Sequence, residues 1–115
     1  MIVEDYEDTR CCMKIIVKDF GYKVIEACNG LEAVESLKDN FPDLILMDIS
    51  MPVMDGLTAT KAIRKIKRGA KIPILAITAH GNQFYKKAID AGCNDLIEKP
   101  VDFDSLEFVL NQYLG

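Results

Sequence analysis

Two periodicities alternate along the chain. Short apolar runs, Ile2-Val3, Tyr22 to Ala27, Leu44 to Met47, Ile72 to Ile77 and Leu96-Ile97, are separated by stretches in which apolar residues recur every three or four positions. The second pattern is clearest at Met13, Ile16, Val17 and Phe20, which mark one buried face of a helix that Gly21 stops. Leu31, Val34 and Leu37 line a second helix, for which Asn29 is the cap, with Glu32 three residues on. Leu57, Ala59, Ile63 and Ile66 mark a third, and Phe84, Ala88 and Ala91 a fourth, less apolar one closed by Gly92. Leu106, Val109, Leu110, Tyr113 and Leu114 form the stripe of a last helix capped by Asp102 or Asp104.

Leu44-Ile45-Leu46-Met47 is continuous rather than alternating, as a central strand covered on both faces requires. Pro73 is tolerated near the start of the fourth run. Five strands alternating with five helices predict an α/β domain around a parallel sheet.

Because each strand returns through a helix, all strands point the same way and their carboxyl ends share one rim, where open α/β sheets bind ligands. The first run ends on Glu4-Asp5, the third on Asp48, the fourth on Thr78 and the fifth on Lys99. Taken singly, each has an ordinary explanation: a solvated strand end, a loop cap, a β-branched strand residue, a surface lysine. Together they place three carboxylates, a hydroxyl and an ammonium on one edge of one sheet. Crowded carboxylates repel, and an all-oxygen donor set selects a hard cation such as Mg²⁺ over zinc. A cation there, with Lys99 and Thr78 beside it, makes an electrostatic clamp for a phosphoryl group. Asp48, at the end of the most apolar strand, is then the natural nucleophile, forming an aspartyl phosphate.

These residues resemble the receiver domain of bacterial response regulators over essentially the whole chain. The resemblance rests on the Glu4-Asp5 pair, on DISMPVMDG from Asp48 to Gly56, on AITAH from Ala76 to His80, and on Lys99-Pro100. It implies a doubly wound, five-stranded, flavodoxin-like sheet in the order 2-1-3-4-5. It implies phosphorelay signalling, with Asp48 accepting phosphate from a histidine kinase or histidine phosphotransfer protein, and no turnover of an external substrate. By the same resemblance Asp5, Asp48 and the backbone carbonyl of Ser50 ligate Mg²⁺, and Glu4 acts through a bound water. Lys99 pairs with the phosphoryl group, Thr78 swings to meet it, and Lys99-Pro100 is a cis peptide, the isomer that an X-Pro bond tolerates. One departure stands out: the position three before the lysine, usually aromatic in the family, is Leu96. His80 is read as a loop residue at the rim that tunes water access rather than as a catalytic base.

Composition narrows the alternatives. Half of the 115 residues are apolar, which fits one domain, residues 1–115, with no DNA-binding effector. No run approaches the roughly 20 apolar residues of a membrane span, and no signal peptide precedes Ile2, so a cytoplasmic protein is expected. The net charge of −4 argues against nucleic-acid binding, and the cations Lys61, Arg64, Lys65, Lys67, Arg68 and Lys71 read as a solvated face. Cys11, Cys12, Cys28 and Cys93 lack metal-clamp spacing and read as reduced structural thiols. Met47, Met51 and Met54 read as packing and loop anchors, and Gly56 as a φ-permissive helix opener. A Mg²⁺-dependent aspartyl-phosphate phosphatase would want a second acid where Ser50 stands. A flavodoxin-like flavin carrier would want a phosphate loop where Asp5-Tyr6-Glu7-Asp8 is acidic.

Overall fold

The computed structural model describes residues 1–115. In chain order the elements are β1 Ile2–Val3, α1 Glu7–Asp19, β2 Glu26–Ala27, α2 Gly30–Ser36, β3 Ile45–Asp48, α3 Gly56–Lys65, a short 3₁₀ turn Lys67–Gly69, β4 Ile74–Thr78, α4 Gly81–Ala91, β5 Asp95–Glu98 and α5 Phe103–Leu114. All strand pairs are parallel, in the order β2-β1-β3-β4-β5. The expected doubly wound, flavodoxin-like sheet is thus the observed one.

Strand alternation divides the core in two. Val3, Ile45, Met47, Ile74 and Ala76 face α2, α3 and α4, where Ala33, Leu37, Ala59, Ile63 and Ala88 cover them. Their neighbours Ile2, Leu46, Leu75, Ile77 and Ile97 face Met13 and Val17 of α1 and Leu106 and Leu110 of α5. A strand buried on both sides has no position for a polar side chain until it emerges, so β3 runs apolar from Ile45 to Met47 and turns polar at Asp48. No helix is long and apolar enough to cross a membrane.

The helix ends follow local chemistry. Asn29 Oδ1 accepts from the Glu32 N–H at 2.8 Å, and Asp102, rather than Asp104, caps α5 by accepting from the Ser105 N–H at 2.7 Å. Gly92 closes α4 with φ 116°, in the left-handed region where a side chain would be strained. Three sequence expectations are corrected. The second strand is only Glu26–Ala27, because β1 offers a two-residue partner; Tyr22 and Val24 pack without laddering, and Ile25 contributes only its carbonyl, which accepts from the Ile2 N–H at 2.8 Å. Leu31 is exposed, since α2 turns Gly30, Ala33 and Leu37 inward. The fourth strand begins at Ile74 and carries its ladder through Thr78.

Candidate functional site

Ile2-Val3 and Leu46-Met47 are in register, so Glu4 and Asp48 leave the sheet side by side. Oxygens of Glu4, Asp5 and Asp48 all lie within 4.8 Å of one another. Glu4 and Asp48 are buried and Asp5 is exposed. The register Asp48–Ile77 and Thr78–Glu98 brings Thr78 and Lys99 to the same rim. Lys99 Nζ stands 3.4 Å from Asp48 Oδ2 and 3.6 Å from Glu4 Oε2. One ammonium therefore faces two buried carboxylates at distances longer than a good charge-assisted hydrogen bond.

The carboxylates are poorly satisfied. Glu4 Oε1 accepts only a long bond, 3.4 Å, from the Tyr6 N–H, and Glu4 Oε2 is buried with no hydrogen-bond partner. Burial pushes the Glu4 carboxyl up to about 7, helped by the neighbouring Asp48 carboxylate, and opposed by Lys99 and the Tyr6 amide. Asp48 Oδ1 accepts from the Ser50 N–H at 3.3 Å. The Thr78 hydroxyl accepts from the His80 N–H at 3.1 Å, and no hydrogen bond joins it to Asp48. The imidazole of His80 is exposed and gives α4 no cap, so its backbone is what touches the site.

A hard divalent cation fits this cluster on its own terms. The donors are all oxygen, one ammonium leaves the three carboxylates under-neutralised, and the orphaned Glu4 Oε2 needs a partner that no protein group supplies.

Several features of the site escape a reading of residue types. Arg10 donates from Nη1 to the Glu4 carbonyl at 2.9 Å and from Nε to Glu26 at 3.3 Å, tying α1 to the end of β1. Gly56 does not have a positive φ; it is glycine because a Cβ there would collide with the Asp48 backbone carbonyl. Its N–H meets the Ile49 carbonyl at 2.9 Å, so the helix start is clamped against the end of β3. In the intervening loop Val53 has φ 69°, and the Met54 N–H bonds the Pro52 carbonyl at 2.8 Å. That is a three-residue turn of the strained kind, beside the site and centred on a β-branched residue. Met51 and Met54 pack against the core, as loop anchors should, and Lys99-Pro100 is cis.

Two other expectations change. Arg64 does not belong to a solvated face, whereas Arg68 is exposed as expected. Arg64 donates to the carbonyls of Gly92, Gly69 and Ile72 and to Asn94 Oδ1, and Arg68 donates to the Lys38 carbonyl and lies over the Phe41 ring. Of the four free thiols only Cys93 is buried, 3.6 Å from the Thr60 hydroxyl; Cys11, Cys12 and Cys28 are exposed.

Comparison with known proteins agrees with the fold. The family model of the response regulator receiver domain matches residues 1–111, and the chain belongs to that family. It is 44% identical over 117 residues to hybrid signal transduction histidine kinase G of Dictyostelium discoideum, covering 98% of this chain but 3% of that protein. It is 41% identical to the chemotaxis protein CheY of Bacillus subtilis, covering all of this chain and 96% of that one. Among solved structures it resembles the receiver domain of sensor histidine kinase PA1611 from Pseudomonas aeruginosa, which holds a magnesium ion in its active-site cleft. That match has a TM-score of 0.93 at 34% identity and covers 99% of this chain and 94% of the other. The receiver domain of Ssk1 from Saccharomyces cerevisiae, crystallised with the histidine phosphotransfer protein Ypd1, matches with a TM-score of 0.89 at 32% identity over 97% and 85% of the two chains. Family membership makes this a signalling domain of phosphorelays, in which aspartate phosphorylation and Mg²⁺ are typical.

Proposed function

We propose that Asp48 is the phosphoryl acceptor of this receiver and that its donor is a phosphohistidine on a histidine kinase or phosphotransfer protein. The reading is carried by one observation: a single ammonium, Lys99, faces both Asp48 and Glu4, and Glu4 Oε2 still has no hydrogen-bond donor. Such a rim is short of positive charge until a cation arrives, and the cation together with Lys99 can then receive an anionic phosphoryl group. In the transfer, Asp48 Oδ2 forms the new P–O bond as the P–N bond of phosphohistidine breaks, and the electron pair returns to the imidazole. The Ser50 N–H holds Oδ1 and keeps the other oxygen presented. Lys99 turns from the bare carboxylates to the phosphoryl oxygens. Thr78 exchanges the His80 amide for a phosphoryl oxygen, which couples occupancy to the start of α4.

Asp5, Asp48 and the Ser50 carbonyl would hold Mg²⁺, with Glu4 acting through a water; bound there, the cation neutralises charge that builds on the transferred group. Its release of strain among the acids links metal binding to stability. The domain assists its own phosphorylation and dephosphorylation without turning over an external substrate. Residues 1–115 act as one unit, and the free thiols suit a cytoplasmic setting. The phosphorylated state is read on the face of α4, β5 and α5, where Tyr85, Ile89 and Phe108 are exposed.

Incubation with acetyl phosphate and Mg²⁺ should add one base-labile phosphoryl mass, located on Asp48 by peptide mapping. Asp48→Asn should fold normally and incorporate none, because the amide is isosteric but not nucleophilic. Full incorporation on another residue in the variant overturns the assignment.

A further inference from the structure

The molecule segregates its charge. Between Gly56 and Ile89 lie eight of its fourteen lysines and arginines and none of its eighteen carboxylates. Of the two arginines in that segment, Arg64 is consumed by backbone carbonyls and Arg68 is turned onto the Lys38 carbonyl and the Phe41 ring, leaving six lysines. Lys61, Lys65, Lys67, Lys71, Lys86 and Lys87 are all exposed, and none has an ion pair or a side-chain hydrogen bond. A merely solvated helix face intersperses the two signs, because like charges one turn apart, as at Lys61 and Lys65, are unfavourable.

An apolar groove lies at the head of this face. Ile49, Met51, Pro52, Leu57 and Phe84, with Ser50 and Asp55, enclose about 420 Å³ between the β3–α3 loop and α4. Asp55, whose two oxygens accept from the Thr58 N–H and hydroxyl, keeps its charge at the groove edge but is outnumbered by the lysines beside it. Lys61 stands one helical turn beyond Leu57, and Lys87 one turn beyond Phe84, its Nζ 5.6 Å from the ring centroid. The groove is thus flanked on both helices by an unpaired ammonium.

We propose that the α3–α4 groove is a docking site for an acidic segment of a partner protein. One bulky apolar side chain of that segment would enter the groove between Leu57 and Phe84, with its carboxylates on Lys61, Lys65 and Lys87. Three features favour such a segment over a nucleic acid or an anionic membrane. Neither arginine of the segment lines the groove: Arg64 is bound by Gly92, Gly69 and Asn94, and the exposed Arg68 donates to the Lys38 carbonyl and stacks on Phe41. Of the aromatic rings on α4, Phe84 is half-buried in the groove, already beneath Lys87, and the exposed Tyr85 is not part of its lining. The molecule outside the segment is strongly acidic. It repels an extended polyanion, whereas a short segment feels only the lysines within the screening length of about 8 Å. This inference is independent of phosphorylation at Asp48 and is tested without it.

The test is a phage-displayed library of random dodecapeptides, selected on the full chain at physiological salt and counter-selected on the double variant Lys61→Glu/Lys87→Glu. Both substitutions are at exposed positions, and matching thermal unfolding of parent and variant checks the fold. Peptides kept by the parent and released by the variant should combine clustered acids with a bulky apolar residue. A synthetic copy should bind the double variant about tenfold more weakly, since two surface ion pairs become repulsions. Its amide shift changes should fall within 49–57, 61–65 and 84–87, and Leu57→Ser should weaken it without altering the charge. The proposal is overturned if no peptide discriminates parent from variant, or if discriminating peptides lack acids or map elsewhere. It is equally overturned if polyuridylate RNA or phosphatidylserine vesicles bind this face as tightly as the selected peptide.

Discussion

The two ends of the sheet treat charge in opposite ways. At the amino ends of β4 and β5, the Arg64 guanidinium donates to the Ile72 carbonyl at 2.6 Å, to Gly69 at 2.8 Å, to Gly92 at 2.9 Å and to Asn94 Oδ1 at 2.8 Å. Asn94 Oδ1 in turn accepts from the Ile74 N–H. At the carboxyl end, Lys99 is held no closer than 3.4 Å to either buried acid, and Glu4 Oε2 has no partner. Both regions bury charge, and both cost desolvation. Only the first recovers it within the folded chain. Saturated polar groups hold a structure together, while unsaturated ones, placed where a ligand can reach, mark where a ligand completes it.

The largest effect expected from this contrast lies at the saturated end. Arg64→Ala strips donors from three carbonyls and Asn94 at once, and should cost about 3 kcal/mol in urea unfolding. Arg64→Lys should recover little, because one ammonium cannot span acceptors in the α3–β4 and α4–β5 connections at once. A loss below about 1 kcal/mol for Arg64→Ala would show that water replaces the guanidinium, and the contrast between the two ends would collapse.

At the rim the sign reverses. The Glu4 carboxyl is raised from 4.5 to about 7 on folding, so between those values the native state holds a proton that the unfolded chain has lost. Stability contributed by this group is complete below pH 4.5 and is lost as pH rises through about 7 in the metal-free protein. Glu4→Gln should flatten that slope, stabilise the metal-free protein at pH 7.5, and weaken the rise in melting temperature on adding millimolar Mg²⁺. A parent whose unfolding free energy does not decline between these pH values would mean that Glu4 is adequately solvated, and the rim is not under-satisfied.

Why was the rim legible in the sequence when the Arg64 anchor was not? Strand direction follows from alternation with helices, and a strand buried on both faces announces where it emerges, so Glu4, Asp48, Thr78 and Lys99 could be placed together from their positions alone. Arg64 joins carbonyls from two connections, α3–β4 and α4–β5, whose relative positions exist only in the fold, and carbonyls have no side-chain signature. In the sequence it is one cation among six. Gly56 fails for the same reason: glycine for close approach and glycine for positive φ are the same letter, and only the Asp48 carbonyl beneath it separates them. The second strand was read too long because propensity marks Tyr22 to Ala27, whereas a ladder needs a partner and β1 offers two residues.

The smallest expected effect concerns Leu96, which lies between the rim and the rest of the molecule. Similar receivers usually carry an aromatic residue here, whose rotation reports phosphorylation. In this chain Leu96 is half-buried against the core, and its Cδ2 borders Gly81 at the start of α4. A leucine has no hydroxyl to expose and sweeps little surface, so its two positions would differ little to a partner. In the proposed transfer the group that changes partners is Thr78, whose hydroxyl accepts the His80 N–H at 3.1 Å. Once Thr78 turns to a phosphoryl oxygen, that amide loses its acceptor, and the segment through Gly81 must move or find another. Amide hydrogen exchange with and without beryllofluoride should therefore change between Thr78 and Ala91, and Leu96→Ala should leave that pattern largely in place. Thr78→Val, which keeps the shape and removes the hydroxyl, should erase it while Asp48 still takes up phosphate, though more slowly. If Leu96→Ala erases the response and Thr78→Val does not, the signal passes through packing at Leu96 rather than through the hydrogen bond at His80.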